Sequence, residues 1–372
     1  MQIMMIAGEA SGDLHGAGVV RELKSRHPSA DVYGIGGDKM QAAGMQLIYH
    51  VRELAFMGFS EVLKHLPVIR SVEKTLEVLL TVRRPDALVL IDYPGFNLRF
   101  ASKAKKLGIR ILYYISPQIW AWNAGRVKRM KDVIDRMLVV FPFEVELYRR
   151  YGIDAEFVGH PLLEILGEPQ SKTDFCKRYG LDPSKRILGL FPGSRRQELE
   201  RIFPAMLGAA DLLIRSKGVQ VVVGAASILA RDFVASFIRE DLPVTIIQNA
   251  TYDAMANSDV ALVTSGTATL ETACYGTPMV VVYRMSLLSY LIGRLVVRIK
   301  NIGLVNIVAG KTIVPELIQY GVEATRLARE AAKFIDDGQL RSETRAELRR
   351  VREKLGTAGA SRRVTDAILA TV

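Results

Sequence analysis

The chain has 372 residues, 49% of them apolar and 24% charged, a globular mix with room for two domains that excludes fibrous and disordered classes. Its 50 Lys and Arg outnumber 39 Asp and Glu for a net charge of +11, which points to anionic partners such as nucleic acid, anionic lipid or phosphorylated substrates. Two distant cysteines, Cys176 and Cys274, exclude a disulfide framework or a four-ligand zinc site and fit a reducing compartment.

The first residues, Met1-Gln-Ile-Met-Met-Ile-Ala7, carry no basic leader and no small-residue cleavage site, unlike a signal peptide. No uncharged apolar run approaches the ~18 residues that span a bilayer. The expectation is a soluble protein, or one that lies on a membrane surface.

In chain order, short apolar runs alternate with stretches of helical period, as in βαβ units with a parallel sheet. The first half predicts strands at Ile3–Ala7, Asp31–Gly34, Ala87–Ile91, Arg110–Ile115 and Met137–Val140. Gly8-Glu-Ala-Ser-Gly-Asp13 follows the first of these, and Gly34-Ile-Gly-Gly37 ends the second. Small residues at the carboxyl end of a strand let a ligand approach the backbone; a tight turn capped by Ser11 or Asp13 is the alternative. Phe56-Met-Gly-Phe59 with Val62, Leu63 and Leu66 offers an apolar patch for an acyl chain or membrane. Asp92 follows the third strand and precedes Tyr93-Pro-Gly-Phe-Asn97. Held there, a carboxylate can serve as a general base or cap the next helix, a role open to Asn97 as well. Ser116-Pro-Gln-Ile-Trp-Ala-Trp122 holds both tryptophans, suited to stacking on a sugar face or to anchoring a core.

Gly167-Glu-Pro-Gln-Ser-Lys-Thr-Asp174 reads as an interdomain linker. Beyond it, strands are predicted at Ile187–Phe191, Val219–Val223, Val244–Ile247, Val260–Val263 and Met279–Val282. Each half therefore reads as a doubly wound α/β domain. Phe191-Pro-Gly-Ser-Arg-Arg-Gln-Glu198 runs from a strand into a helix start, where backbone N–H groups bind anions and arginine adds donors. A capping box between Ser194 and Gln197 is the alternative, but it leaves Arg195 and Arg196 at the helix end that disfavours cations. Ser265-Gly-Thr-Ala-Thr-Leu-Glu271 supplies hydroxyls and N–H groups for a second phosphate contact, with Glu271 placed to accept from ribose hydroxyls. Asn249-Ala-Thr-Tyr-Asp253 is a weaker candidate for contacts to a base. Two anion-binding turns in one domain suit a nucleoside diphosphate.

Ser286-Leu-Leu-Ser-Tyr-Leu-Ile-Gly-Arg-Leu-Val-Val-Arg-Ile-Lys300 places leucines and isoleucines on one face with Arg294, Arg298 and Lys300 at its edges. That pattern fits a lipid surface or a core helix. Residues 323–372 predict three helices punctuated by Gly338 and Gly356. The five histidines, His15, His27, His50, His65 and His160, show no metal-ligand spacing, so no metal and no cofactor is expected. Aromatic residues interleaved with basic ones are not evident, so nucleic acid is not an expected partner.

Taken together, Gly8–Asp13, Met57-Gly-Phe-Ser-Glu-Val62, Ile91–Asn97, Ser116–Trp122, Val158-Gly-His-Pro161, Pro192–Arg195, Ser265–Glu271 and Asn306 with Pro315-Glu-Leu-Ile-Gln319 resemble the lipid-A-disaccharide synthase family. The resemblance implies a GT-B fold, two Rossmann-like domains facing a central cleft. It implies an acceptor-binding domain at 1–165, a UDP-sugar-binding domain at 166–344, and C-terminal helices 345–372 that pack back on the first domain or on a partner's in a homodimer. It further implies inverting transfer of 2,3-diacylglucosamine from UDP to the 6-hydroxyl of 2,3-diacylglucosamine 1-phosphate, at the cytoplasmic face of a bacterial inner membrane. Asp92 would be the catalytic base. Gly193, Ser194, Arg195, Glu198, Ser265, Gly266, Thr267, Thr269, Glu271, Asn306, Glu316 and Gln319 would hold the donor; Ser11, Asp13, Met57, Gly58 and Gln118 would hold the acceptor. A UDP-sugar epimerase of the same fold, or a non-catalytic nucleotide-binding protein at a membrane surface, would share the nucleotide motifs.

Overall fold

The computed structural model describes residues 1–53, 66–119, 125–226, 229–285 and 301–372. Met57 and Gly58 with the Phe56–Phe59 patch, Trp120 and Trp122, and the amphipathic stretch 286–300 lie outside the described residues. The chain divides into two compact units, Met1–Ile165 with Leu355–Val372, and Leu166–Lys354.

The first unit carries β1 (Gln2–Ala7), β2 (Asp31–Gly36), β3 (Gln46–His50), β4 (Ala87–Ile91), β5 (Arg110–Tyr114), β6 (Arg136–Val139) and β7 (Ala155–Phe157), in the order β3-β2-β1-β4-β5-β6-β7. All pairings are parallel. Parallel strands covered on both faces need unbroken apolar runs, and every residue of β4 and Ile3–Ala7 of β1 is fully buried. The second unit carries β8 (Ile187–Phe191), β9 (Gln220–Ala225), β10 (Val244–Gln248), β11 (Val260–Thr264), β12 (Met279–Tyr283) and β13 (Glu316–Ile318), in the order β10-β9-β8-β11-β12-β13, again all parallel. The ten strands expected from the sequence are all present. β3, β7 and β13 were not foreseen; each lies at a sheet edge.

The stretch read as a linker is pinned to the second unit. The Gln170 N–H donates to Asp253 Oδ1 at 2.8 Å, and Asn257 Nδ2 donates to the Gln170 carbonyl at 3.1 Å. A helix, Lys172–Tyr179, begins inside that stretch, capped by Ser171.

Three helices form after Glu323, as its punctuation predicts: Ala324–Asp336, Gly338–Lys354 and Ala360–Leu369. The first buries Leu327, Ala331 and Phe334 in the core of the second unit. The last packs on the helix Ala10–Arg26 of the first. Ser361 fastens it, its N–H and hydroxyl donating to the Glu164 carboxylate at 2.8 and 2.6 Å. Gly18 allows that approach, since a Cβ there would lie 2.3 Å from Ser361 Oγ.

Two histidines are enclosed in this unit without charge. Burial lowers His15 to about 4 and, with the nearby His15, lowers His160 to about 3. His160 lies against the Phe141 ring and accepts from the Leu162 N–H through Nδ1. A group whose folded pKa is depressed contributes stability above its unfolded value, here 6.5, that is lost as pH falls toward the folded value. Urea midpoints should therefore drop between pH 6.5 and 4.5. His160→Gln should flatten that slope, and an unchanged slope would show that the ring is not kept neutral by the fold.

Candidate functional site

Parallel α/β sheets bind ligands beyond the carboxyl ends of the strands where strand order reverses. In the second unit that point lies between β8 and β11, which pair Phe191 with Val263. A cavity of about 820 Å³ opens there, lined by the turn after β8, the turn after β11 and the Asn249–Asp253 loop after β10. Eight of the residues expected to hold a donor line it: Gly193, Ser194, Arg195, Glu198, Ser265, Gly266, Thr267 and Glu271.

The turn after β8 reverses through Gly193 at φ +103°, a left-handed conformation natural to glycine. The helix Arg196–Lys217 follows, with Arg195 at its cap position. The capping partner is Glu198, three residues on, rather than a Ser194–Gln197 box. Its carboxylate accepts from the Ser194 and Arg195 N–H groups at 3.2 and 3.3 Å and from Arg195 Nη1 at 3.0 Å. The two arginines of this turn separate. Arg195 lines the cavity. Arg196 turns away, pairing with Glu200 at 3.2 Å and lying over the Phe233 ring.

After β11 the chain turns through Ser265 and Gly266 into the helix Thr267–Cys274. Glu271, on that helix, is pushed up to about 7 by burial, with no hydrogen bond or ion pair among the described residues. A half-buried carboxylate facing a cavity with no partner is an acceptor in waiting. Thr264, the last residue of β11, also lines the cavity with a buried hydroxyl that has no partner among the described residues. Its position inside an apolar strand hid it in the sequence; only its place one residue before Ser265 could have flagged it. Tyr252 and Tyr275 line the same cavity, their ring centroids 6.2 Å apart.

Four expected donor residues lie apart from the cavity lining. Thr269 is fully buried and donates to the Gly266 carbonyl at 2.8 Å. Asn306, also fully buried, donates through Nδ2 to the Val314 carbonyl and to Glu316 Oε1, and accepts from the Ile313 and Val314 N–H groups. Glu316 accepts from the Ile302 and Gly303 N–H groups at 2.8 and 3.0 Å. Gln319 brackets Met285, donating to its carbonyl and accepting from its N–H at 3.0 and 2.8 Å. Gln319 and Glu316 thus hold the backbone on either side of residues 286–300.

In the first unit the strand order reverses between β1 and β4, where Ala7 pairs with Ile91. The residues just beyond are Gly8, Glu9 and Asp92. Asp92 and Tyr93 are both left-handed, at φ +48° and +50°, conformations that cost energy in non-glycine residues and concentrate at functional sites. The turn is clamped from behind: Tyr113 Oη and Asn97 Nδ2 donate to the Asp92 carbonyl at 2.6 and 2.7 Å. Tyr93 occupies the cap position of the helix Pro94–Lys106, with no side-chain cap bond among the described residues, so neither Asp92 nor Asn97 is its cap. Burial, and secondarily the charge of Glu9, push the Asp92 carboxyl up to about 6. Gly8 makes room for the Tyr93 ring, which a Cβ would meet at 2.2 Å.

Ser11 and Gln118 are exposed. Asp13 is buried, and its carboxylate accepts from the Gly37, Lys39 and Met40 N–H groups at 2.7, 3.2 and 2.9 Å. It caps the helix Asp38–Ala42 from across the unit, a structural task that occupies both oxygens. Among the described residues, no group of three His, Cys, Asp or Glu side chains could hold a metal ion.

The model of the lipid-A-disaccharide synthetase family matches residues 3–369. The lipid-A-disaccharide synthase of Geobacter metallireducens is 46% identical over 370 residues, covering 99% of this chain and 96% of that one. Among solved structures, the chain is similar to a UDP-GlcNAc 2-epimerase from Neisseria meningitidis bound to UDP-GlcNAc, with a TM-score of 0.67 and 13% identity over 100% of both chains. It is likewise similar to the calicheamicin glycosyltransferase CalG4, with a TM-score of 0.62 and 16% identity over 100% of this chain and 98% of that one. At such identities these two show the fold alone, a GT-B-like pair of parallel α/β units.

Removing the Asp13 carboxylate strands three N–H groups at a helix start, two of them, of Gly37 and Met40, buried. Asp13→Ala should lower unfolding free energy by about 2 kcal/mol in urea melts while leaving nucleotide affinity unchanged. A stable variant that loses acceptor affinity would instead make Asp13 a ligand.

Proposed function

Because the chain belongs to the lipid-A-disaccharide synthase family, we propose that the second unit holds the UDP-sugar donor and that Asp92 of the first activates the acceptor hydroxyl. The family's activity is synthesis of the lipid A disaccharide, a glycosyl transfer in lipid A biosynthesis. In our reading, 2,3-diacylglucosamine leaves UDP for the 6-hydroxyl of 2,3-diacylglucosamine 1-phosphate, with inversion at the anomeric carbon.

The observation that carries the donor assignment is the cavity at the β8/β11 reversal, which joins Arg195 to the unpartnered Glu271. The diphosphate would lie against Arg195 and the two turns that begin helices, where N–H dipoles favour negative charge. Glu271 would accept from the ribose hydroxyls, gaining the partners that its burial denies it.

The reaction balances without further groups. The acceptor oxygen attacks the anomeric carbon and its proton passes to the Asp92 carboxylate. The bond from that carbon to the β-phosphate oxygen breaks, and the electron pair leaves on UDP. Arg195 and the helix starts stabilise the charge that develops on the diphosphate. Burial suits Asp92 to this task, since a carboxylate held near pH 6 takes a proton more readily than an exposed one.

Acylated substrates require access to lipid. Among the described residues no helix is long and apolar enough to cross a membrane. We propose peripheral binding at the cytoplasmic face, with the net positive charge assisting attraction to anionic lipid. In a homodimer that swaps its C-terminal helices, Ala360–Leu369, which here packs on its own chain, would be exchanged.

Asp92→Asn should retain UDP binding and lose transfer by about 10²-fold or more. In the wild type, kcat/KM should rise with pH through about 6 as Asp92 ionises, and a flat profile in Asp92→Asn completes the test. Near-normal turnover in that variant would dismiss the base assignment. Glu271→Ala should bring the affinities for UDP and 2′-deoxy-UDP together in calorimetry; retained discrimination would move the ribose elsewhere.

A further inference from the structure

We propose that Glu198 is an internal competitor for the donor's diphosphate, seated in the anion cradle of the second unit when nucleotide is absent and displaced when it binds. The inference rests on the donor assignment above and goes beyond it. There Glu198 was expected to hold the donor; its geometry gives it the opposite role.

Three donors of residues that line the cavity are spent on this one carboxylate: the Ser194 N–H, the Arg195 N–H and Arg195 Nη1. An anion already occupies the cradle, and it belongs to the chain. A phosphate oxygen bound by the same donors would meet a like charge at close range, so the two cannot share them. Gly193 admits the carboxylate, since a Cβ there would stand 2.4 Å from Glu198 Oε2. The seat is also releasable. The side chains of Arg195 and Glu198 are 56% and 20% exposed, so the pair lies at the cavity wall and not in the core, and ion pairs open to water contribute little to stability.

The consequence falls on product release. Transfer leaves UDP with additional negative charge on the β-phosphate, held by Arg195. A carboxylate tethered three residues away can return to the donors as UDP departs, so the vacated cradle does not stay empty. Departure is thereby favoured over rebinding, and in many enzymes departure limits turnover. A simple helix-capping glutamate that orients Arg195 predicts the reverse: without it, UDP should bind less tightly.

The test is calorimetry of the full-length protein with UDP and with uridine. Glu198→Gln keeps an acceptor for the cap but removes the charge. It should bind UDP about tenfold more tightly, the difference between charge-assisted and neutral hydrogen bonds, with uridine affinity unchanged and stronger product inhibition by UDP. Unchanged or weaker UDP binding overturns the proposal. Tightening of uridine and UDP alike overturns it too, because it would reflect a general change of the cavity. Arg195→Ala separates the two levels of inference. If it leaves UDP affinity intact, the donor assignment fails; if it weakens UDP while Glu198→Gln does not tighten it, only the competitor role fails.

Discussion

One constraint governs both candidate sites: each parallel sheet is doubly wound and reverses its strand order once. At that reversal the chain segments that leave neighbouring strands diverge, and the backbone beyond the strand ends is left without a neighbour to cover it. In this protein the reversals fall at β1/β4 and β8/β11, and the small-residue turns Gly8-Glu-Ala-Ser-Gly, Pro192-Gly-Ser and Ser265-Gly-Thr follow three of those four strands. Asp92 follows the fourth. The candidate sites are thus located by topology before any side chain is considered, and residue type then decides what each crevice can do.

The two crevices use burial differently. Both Asp92 and Glu271 are raised by removal from water, to about 6 and about 7. Asp92 also faces Glu9, and its strained turn is fastened through its own carbonyl by Tyr113 and Asn97. The clamp acts on main chain, and burial keeps the proton affinity of the carboxylate within reach of neutral pH. Glu271 has no such company. Its ionised form is costly until a ligand supplies donors, so ligand binding and its ionisation are coupled.

Legibility in the sequence followed burial. Central strands are enclosed on both faces and read as continuous apolar runs, so β1, β4, β8 and β11 were evident. The edge strands β3 and β13 are only partly buried, and β7 has three residues; none carries a run long enough to register. Side-chain direction was harder than position. Nothing local distinguishes Arg195 from Arg196, because the choice is made by Phe233, which draws Arg196 across its ring from a distant helix. Thr264 was hidden for the opposite reason: its neighbours are so apolar that its hydroxyl read as part of a strand.

The residues carried by family resemblance divide along the same line. Gly193, Ser194, Arg195, Ser265, Gly266, Thr267 and Glu271 line the cavity, whereas Asn306, Glu316 and Gln319 act on backbone. Glu316 grips Ile302 and Gly303, Asn306 ties Glu316 to the 313–314 segment, and Gln319 grips Met285. A motif that carries a family resemblance can therefore mark a residue that holds main chain in place as readily as one that touches substrate. Here the two buried amides, Asn306 and Gln319, each use both their donor and acceptor atoms on main chain or on Glu316. Asn306 commits both donors and both acceptor sites of its amide in this way and has nothing left to offer a ligand, whereas Gln319 commits one of each. An unpartnered group such as Glu271, by contrast, has its full capacity available to one, which is why the partner count sorts these motifs where the sequence could not.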